Sequence, residues 1–109
     1  MNLTLSEEHN AIIEMAKKYA ISELAPVAAR LDINVNKDDD RALFLNNLQG
    51  LAELGFMGMN VRTQYGGSEV GTVAFSLAIT EIARACASTA VTMSVNNMVG
   101  EVIQAIASE

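Results

Sequence analysis

Apolar residues recur every three or four positions through most of the chain, the pattern of helices that bury one side. The first such segment follows Ser6 and runs to about Asp32. Ser6 is placed to cap it, because two glutamates follow where the helix dipole favours carboxylates. Pro26 lies inside the segment and lacks a backbone N–H, so we expect the helix to stop or kink near Leu24 before it continues.

A second helix is predicted from the acidic run at residues 38–40 to about Leu54, after a polar stretch that is typical of a loop. Gly50 lies inside this helix, where glycine costs about 1 kcal/mol relative to alanine. We therefore expect Gly50 to allow close packing of a neighbouring element. Gly55 is expected to end the helix in the left-handed conformation.

Two further helices are predicted in the second half of the chain. The third runs from Thr72 to Ala87, and Ser88 and Thr89 offer a cap for a fourth that continues to Glu109. Both are apolar over more than one face, as expected of helices that lie in the middle of something larger. The sequence thus predicts an all-α fold, an up-and-down helical bundle that forms one domain.

Composition sets the scale of that domain. Half of the 109 residues are hydrophobic, and a chain of this size buries about 65% of its unfolded surface on folding. That is enough for a modest core but not for an enzyme with an interdomain cleft. The net charge of −6 repels nucleic acid and anionic lipid, so neither is an expected partner.

The location of the protein is predicted from features that the chain lacks. No apolar run approaches the roughly 18 residues of a membrane span. The first residues do not have the basic start and apolar stretch of a signal peptide. The single cysteine cannot form an internal disulfide, which favours a reducing compartment. We therefore expect a cytoplasmic protein that does not enter a membrane.

Side chains that could bind a metal or act as nucleophiles do not form a site. Residues 32–43 alternate carboxylates and amides as a calcium loop does, but Lys37 replaces the required glycine and Leu43 the required glutamate. We interpret this stretch as a solvated acidic segment that caps the next helix. His9 is expected at the surface and Cys86 in the core. The sequence predicts no metal site and no catalytic residue of its own.

A phosphate-binding loop is also not supported. Gly66 and Gly71 have the required glycine spacing, but Thr72 stands where a lysine must reach the phosphates. No strand is predicted before them. We expect Gly66 and Gly67 to provide a tight turn instead.

Hydroxyls and amides interrupt the apolar pattern of the fourth helix between residues 88 and 98. Thr92 and Asn96 lie one above the other, with Val95 and Val99 beside them. One interpretation is local hydrogen bonding by Ser and Thr, with Asn96 and Asn97 at a contact between helices. The other is the wall or floor of a long apolar pocket with a few polar atoms. The pattern leaves both open.

Four segments, in order, resemble the N-terminal helical domain of the acyl-CoA dehydrogenases. They comprise residues 3–8 with 24–26, residues 51–59 (LAELGFMGM), residues 64–67 (QYGG), and residues 81–91 (EIARACASTAV) with 94–97 (SVNN). Each is weak alone, but their order and spacing cover the whole chain. The resemblance identifies residues 1–109 as such a domain.

The resemblance implies an all-helical bundle that is normally followed by a β-domain and a second helical bundle, acting on acyl thioesters with bound FAD. In that family a base removes the α proton while the β hydrogen leaves as hydride to the flavin, producing a trans-2-enoyl-CoA. Electrons then pass to an electron-transfer flavoprotein. The family's glutamate base and most flavin contacts lie in the other domains, so few or no FAD contacts are expected here.

By position in the family motif, Thr92, Met93 and Asn96 correspond to the helix that lines the distal acyl-chain pocket. They are the expected substrate-binding residues for acyl-CoA. The medium size of Met93 and Asn96 resembles the short-chain and branched-chain members of the family.

Two hypotheses follow. In the first, the chain is the N-terminal domain of a flavin-dependent acyl-CoA dehydrogenase, present as a fragment, a truncation or a split subunit, and its partners are the missing β-domain and C-terminal helical domain. A homo-oligomer is also expected. In the second, the chain is a noncatalytic interaction module that has kept the fold and uses its exposed apolar face to self-associate or bind another protein.

Overall fold

The computed structural model describes residues 4–33 and 37–107. Five α-helices account for most of this range: α1 Glu7–Tyr19, α2 Ala25–Ile33, α3 Lys37–Glu53, α4 Thr72–Ala85 and α5 Ala87–Ile106. Two short 3-10 turns, Phe56–Gly58 and Thr63–Tyr65, lie between α3 and α4. No strand occurs in these two ranges, which confirms the predicted all-α class. None of the helices described is long and apolar enough to cross a bilayer.

The first predicted helix is observed as α1 and α2, joined without a break. Ser6 Oγ caps α1 by accepting a hydrogen bond from the amide three residues later, at 3.1 Å. Residues Ala20–Leu24 form a π-helical turn, in which the Ala25 N–H donates to the Ala20 carbonyl. Pro26 has no N–H and its ring crowds the carbonyl four residues earlier, which a wider turn relieves. The helix therefore passes the proline through a π turn and does not stop.

The helices pack as a slab. α1 packs on α4, α4 on α5, and α3 contacts both α2 and α5. The molecule measures 45 × 37 × 20 Å, and 20 Å is the thickness of two helices of about 10 Å each. The core is rich in small side chains: Ala16, Ala20, Leu24, Leu51, Phe56, Met59, Ala78, Ile82, Cys86, Ala90 and Met93. With only two layers, α5 has no neighbour on its far side among the described residues.

Close packing at Gly50 is confirmed. The ring of Tyr19, at the end of α1, lies directly over Gly50 of α3, and its hydroxyl donates a 2.7 Å hydrogen bond to the Asn47 carbonyl. A Cβ on Gly50 would lie 2.7 Å from Tyr19 Cζ and would overlap the hydroxyl. The glycine therefore lets α1 approach α3.

We expect Gly50→Ala to lower the free energy of unfolding by about 1–2 kcal/mol, because overpacking outweighs the gain in helix propensity. Urea unfolding followed by circular dichroism measures the change. In a Tyr19→Ala background the same substitution should stabilise the chain, since the overlap is gone and only the propensity gain remains. Equal destabilisation in both backgrounds would contradict the packing explanation.

The acidic stretch differs from its prediction in two ways. α3 already begins at Lys37, so part of the predicted loop is helical. Asp40 is 3% exposed and pairs with Arg30 of α2, with 2.9 Å between Arg30 Nε and Asp40 Oδ1. The prediction of a solvated carboxylate is wrong at this position, because a cation from the preceding helix covers it. Residues 34–36 of the calcium-like pattern lie outside the described residues.

The turn between α4 and α5 is tighter than predicted. α4 ends at Ala85, Cys86 is extended (φ −153°, ψ 105°), and α5 begins at once with Ala87. Ser88 and Thr89 therefore lie inside the first turn of α5 and do not act as its cap. The predicted left-handed conformation of Gly55 is confirmed, with φ of 82°, and Gly66 in the predicted tight turn has φ of 87°.

Candidate functional site

Helix α5 is apolar on both of its sides. One side is buried in the domain and carries Ala90, Met93 and Asn97. The other side, here called the α5 outer face, consists of Val91, Val95, Met98, Val99, Val102, Ile103 and Ile106. All seven side chains are between 47% and 80% exposed. A surface helix normally places polar residues there, and a contiguous exposed apolar patch marks an interaction or ligand site.

The spacing of this face was visible in the sequence. Val91, Val95, Met98 and Val102 follow one another at intervals of four, three and four, which places them on one side of a helix. All seven residues were predicted as apolar positions of the fourth helix at helical spacing. The sequence did not tell that they form the exposed side, because the opposite side of α5 is also apolar and periodicity alone does not distinguish the two.

Thr92 and Asn96 lie beside the outer face, and each makes one hydrogen bond within the domain. Thr92 Oγ1 donates to the Ser88 carbonyl at 3.0 Å. Asn96 Nδ2 donates to the Met57 carbonyl at 2.6 Å. These are the contacts that the first interpretation of the polar residues predicts. Both side chains also keep some exposed surface, so a role in a pocket wall stays a prediction.

Met93 lies on the other side of the helix. Its side chain is 0% exposed and belongs to the domain core. The structure thus brings Thr92 and Asn96 together at the surface and separates Met93 from them, because adjacent helical residues point about 100° apart. The place of Met93 in substrate binding stays a prediction, and it offers a ligand no surface in this structure.

The beginning of α5 contains a buried polar cluster around Cys86. Thr89 Oγ1 donates to Cys86 Sγ at 3.1 Å, and Ser88 Oγ lies 3.5 Å from the sulfur. Burial raises the pKa of the Cys86 thiol, but the hydrogen bonds from Ser88 and Thr89 together bring that pKa below its ordinary value. The sulfur is buried, as predicted, with the residue only 5% exposed. Among the described residues the sulfur bonds to the Ser88 and Thr89 hydroxyls, so the cluster stabilises the start of α5.

Other candidate groups do not converge on a site. His9 is partly buried and not fully at the surface as predicted, and its Nδ1 atom has no hydrogen-bond partner among the described residues. Within residues 4–33 and 37–107, no group of three or more His, Cys, Asp or Glu side chains is placed to hold a metal.

A cleft of about 610 Å³ lies between the α1–α2 junction and α3. Its lining includes Lys18, Glu23 and Glu53, and the Tyr19 ring forms part of its wall. Burial, and then the charges of Glu23 and Glu53, raise the pKa of the Tyr19 hydroxyl. No residue of α5 lines this cleft. The cleft and the α5 outer face are therefore separate features.

The α5 outer face does not by itself fit a flavin dinucleotide. A diphosphate needs cations or convergent backbone N–H groups. Glu101 is the only charged residue of α5, and its outer face carries no donor side chain. The groups that would hold FAD are therefore not on the α5 outer face, and we derive no flavin step from this domain.

Comparison with known proteins agrees with this architecture. The family described as "Acyl-CoA dehydrogenase, N-terminal domain" matches residues 6–109. The short-chain specific acyl-CoA dehydrogenase, mitochondrial, of Rattus norvegicus is 34% identical over 96 residues, which is 88% of this chain and 22% of the relative. Benzylmalonyl-CoA dehydrogenase of Aromatoleum aromaticum is 35% identical over 100 residues, 92% of this chain and 25% of the relative.

A third relative is more distant. The short-chain specific acyl-CoA dehydrogenase of Clostridium acetobutylicum is 24% identical over 94 residues, 86% of this chain and 23% of the relative. The chain thus spans between a fifth and a quarter of the length of these relatives. The family match covers nearly every residue of the chain, and the all-α structure agrees with it. The chain therefore belongs to the acyl-CoA dehydrogenase N-terminal domain family.

Proposed function

We propose that this chain is the N-terminal helical domain of a FAD-dependent acyl-CoA dehydrogenase and that it supplies one wall of the acyl pocket. The observation that carries the proposal is the α5 outer face, with seven large apolar side chains at least 47% exposed. Such a face needs a covering partner, and the chain spans only 22% of the length of its rat relative. The rest of the same polypeptide is the covering partner that we propose.

The chemistry of the face suits a fatty acyl chain. An acyl pocket needs an extended apolar wall with a few polar atoms, and α5 offers valines and isoleucines flanked by Thr92 and Asn96. Met93 supports this wall from inside the domain. Each buried methylene of the substrate contributes about 0.8 kcal/mol where space exists for it, so the volume of these side chains limits chain length. We propose a short or branched acyl-CoA as substrate.

The chemical step belongs to the rest of the enzyme in this proposal. The domains outside this chain would hold FAD, which would supply a hydride acceptor, and the base for the α proton, so that the product would be a trans-2-enoyl-CoA. An electron-transfer flavoprotein and a second copy of the enzyme are the further proposed partners. The cytoplasmic location remains a prediction; the name of the rat relative places that protein in mitochondria.

A second function rests on the same face. If nothing in the same polypeptide covers it, the seven exposed apolar residues would drive self-association or binding to another protein, and the chain would be a noncatalytic interaction module. The two functions differ in what covers α5, and that difference can be measured.

The proposed function is tested by acyl-CoA oxidation in the full-length polypeptide that carries this domain. The wild type should oxidise acyl-CoA substrates, and Asn96→Trp should shorten the longest acyl chain accepted by about two carbons, because the indole fills the pocket. The measurement is kcat/KM for saturated acyl-CoA substrates of increasing length.

Asn96→Ala is the matched control for this prediction. Both substitutions remove the hydrogen bond to Met57, but alanine enlarges the pocket where tryptophan fills it. The chain-length limit should therefore move in opposite directions. An identical chain-length profile of kcat/KM in the two variants would show that Asn96 does not line the pocket.

A further inference from the structure

Hydrophobic burial alone does not determine the rotation of α5 about its own axis. The buried side carries two apolar residues, Ala90 and Met93, together with two polar ones, whereas the outer face carries seven apolar residues. Burying the outer face instead would also remove a large apolar surface from water. Because the hydrophobic effect is not directional, a different kind of contact must select the observed orientation.

Asn97 makes that contact. It is 1% exposed and uses both ends of its amide. Its Oδ1 accepts a 2.6 Å hydrogen bond from the Met59 N–H. Its Nδ2 donates to the Phe56 carbonyl at 2.9 Å and to the Met93 carbonyl at 2.8 Å. Rotation of α5 would leave the Met59 donor and the Phe56 acceptor unpaired inside the core, a loss that buried polar groups do not tolerate well.

Gln104 continues the same arrangement one heptad further along α5. Its Nε2 donates to the Asn60 carbonyl at 2.8 Å, and its Oε1 accepts from the Arg62 N–H at 2.9 Å. Between the two amides, Gly100 allows close approach, since a Cβ there would lie 2.9 Å from Val61 Cγ2. Residues 56–62 are therefore attached along one side of α5 by directional bonds.

We propose that Asn97 is a positioning residue for the acyl pocket. Its hydrogen bonds to residues 56–59 set the rotation of α5 and so decide which side chains of the outer face meet the acyl chain. Asn97 does not touch the substrate. A single buried asparagine fixes the register of apolar coiled coils in the same manner. This inference rests on the proposed function, because it requires the outer face to be the pocket wall.

The test compares two substrates in the full-length enzyme. Asn97→Leu keeps the number and branching of the side-chain heavy atoms but removes the hydrogen bonds of the amide. The ratio of kcat/KM for butyryl-CoA to that for octanoyl-CoA should change about tenfold, the discrimination associated with a displaced pocket wall. Loss of folded enzyme alone would lower both values equally and leave the ratio unchanged.

Tyr19→Phe is the control, since it removes a hydrogen bond between α1 and α3 that does not involve α5. The kcat/KM ratio of Tyr19→Phe for the two substrates should equal that of the wild type. If Asn97→Leu does not fold, Gln104→Leu is tested in its place. It removes the hydrogen bonds from α5 to Asn60 and Arg62 and should change the kcat/KM ratio in the same direction. An unchanged ratio in the variant tested would overturn the role of Asn97. A wild type that oxidises no acyl-CoA would overturn the proposed function instead.

Discussion

Replacing Met93 with alanine is expected to lower the free energy of unfolding of this domain by about 2–5 kcal/mol. The side chain has no exposed surface and lies at the centre of α5, within the core cluster. Alanine would leave a cavity that the surrounding helices cannot fill, because α4 and α5 are joined through Cys86 alone. Since whole domains are stable by only about 5–15 kcal/mol, this is a large fraction of the total.

Urea unfolding followed by circular dichroism measures the effect, and Met15→Ala is its matched control. Met15 lies on α1 and is 40% exposed, so its truncation should change the free energy of unfolding by no more than about 0.5 kcal/mol. Equal destabilisation by the two substitutions would show that Met93 is not a core residue. A clear difference would confirm that Met93 is a core residue that holds α5 against the domain.

The helices could be predicted because their signals are local. Ser6, the acidic start of α3 and the apolar spacing each act within a few residues of the chain, so one sequence is sufficient to locate them. Gly50 was predicted to allow a close approach from its cost in a helix, although the sequence does not name Tyr19 as its partner. The family could also be predicted from the sequence, because its motifs occur in a fixed order.

What the sequence did not predict depends on contacts between distant residues. Asp40 was expected in water and is buried because Arg30, on a different helix, pairs with it. Asn97 was left between two interpretations because its partners, Phe56 and Met59, lie about 40 residues away. The grouping of Thr92 with Met93 followed a motif, whereas helical geometry places these neighbours on different sides.

Val95→Asp is expected to leave the isolated domain stable and to disable the complete enzyme. Val95 is 47% exposed in this chain, so a carboxylate there stays hydrated and should change the free energy of unfolding by about 0.5 kcal/mol or less. In the complete enzyme the proposed wall is covered. An unpaired carboxylate buried there costs several kcal/mol. The domain should therefore no longer pack against the rest of the enzyme, and acyl-CoA oxidation should be lost.

Four measurements decide between the two functions of the α5 outer face. For the complete enzyme, we measure the acyl-CoA oxidation of full-length Val95→Asp and the flavin absorbance that co-elutes with it. For the isolated domain, urea unfolding measures stability. Ile21→Asp, at a 63% exposed residue of the π turn, is the control that should change neither the complete enzyme nor the stability of the domain.

Sedimentation of the isolated domain tests the interaction module. If the module is correct, the wild-type domain should self-associate and the Val95→Asp domain should be monomeric. Full activity and flavin retention in Val95→Asp would mean that the rest of the enzyme does not cover this face. The apolar surface of α5 would then be explained by the interaction module.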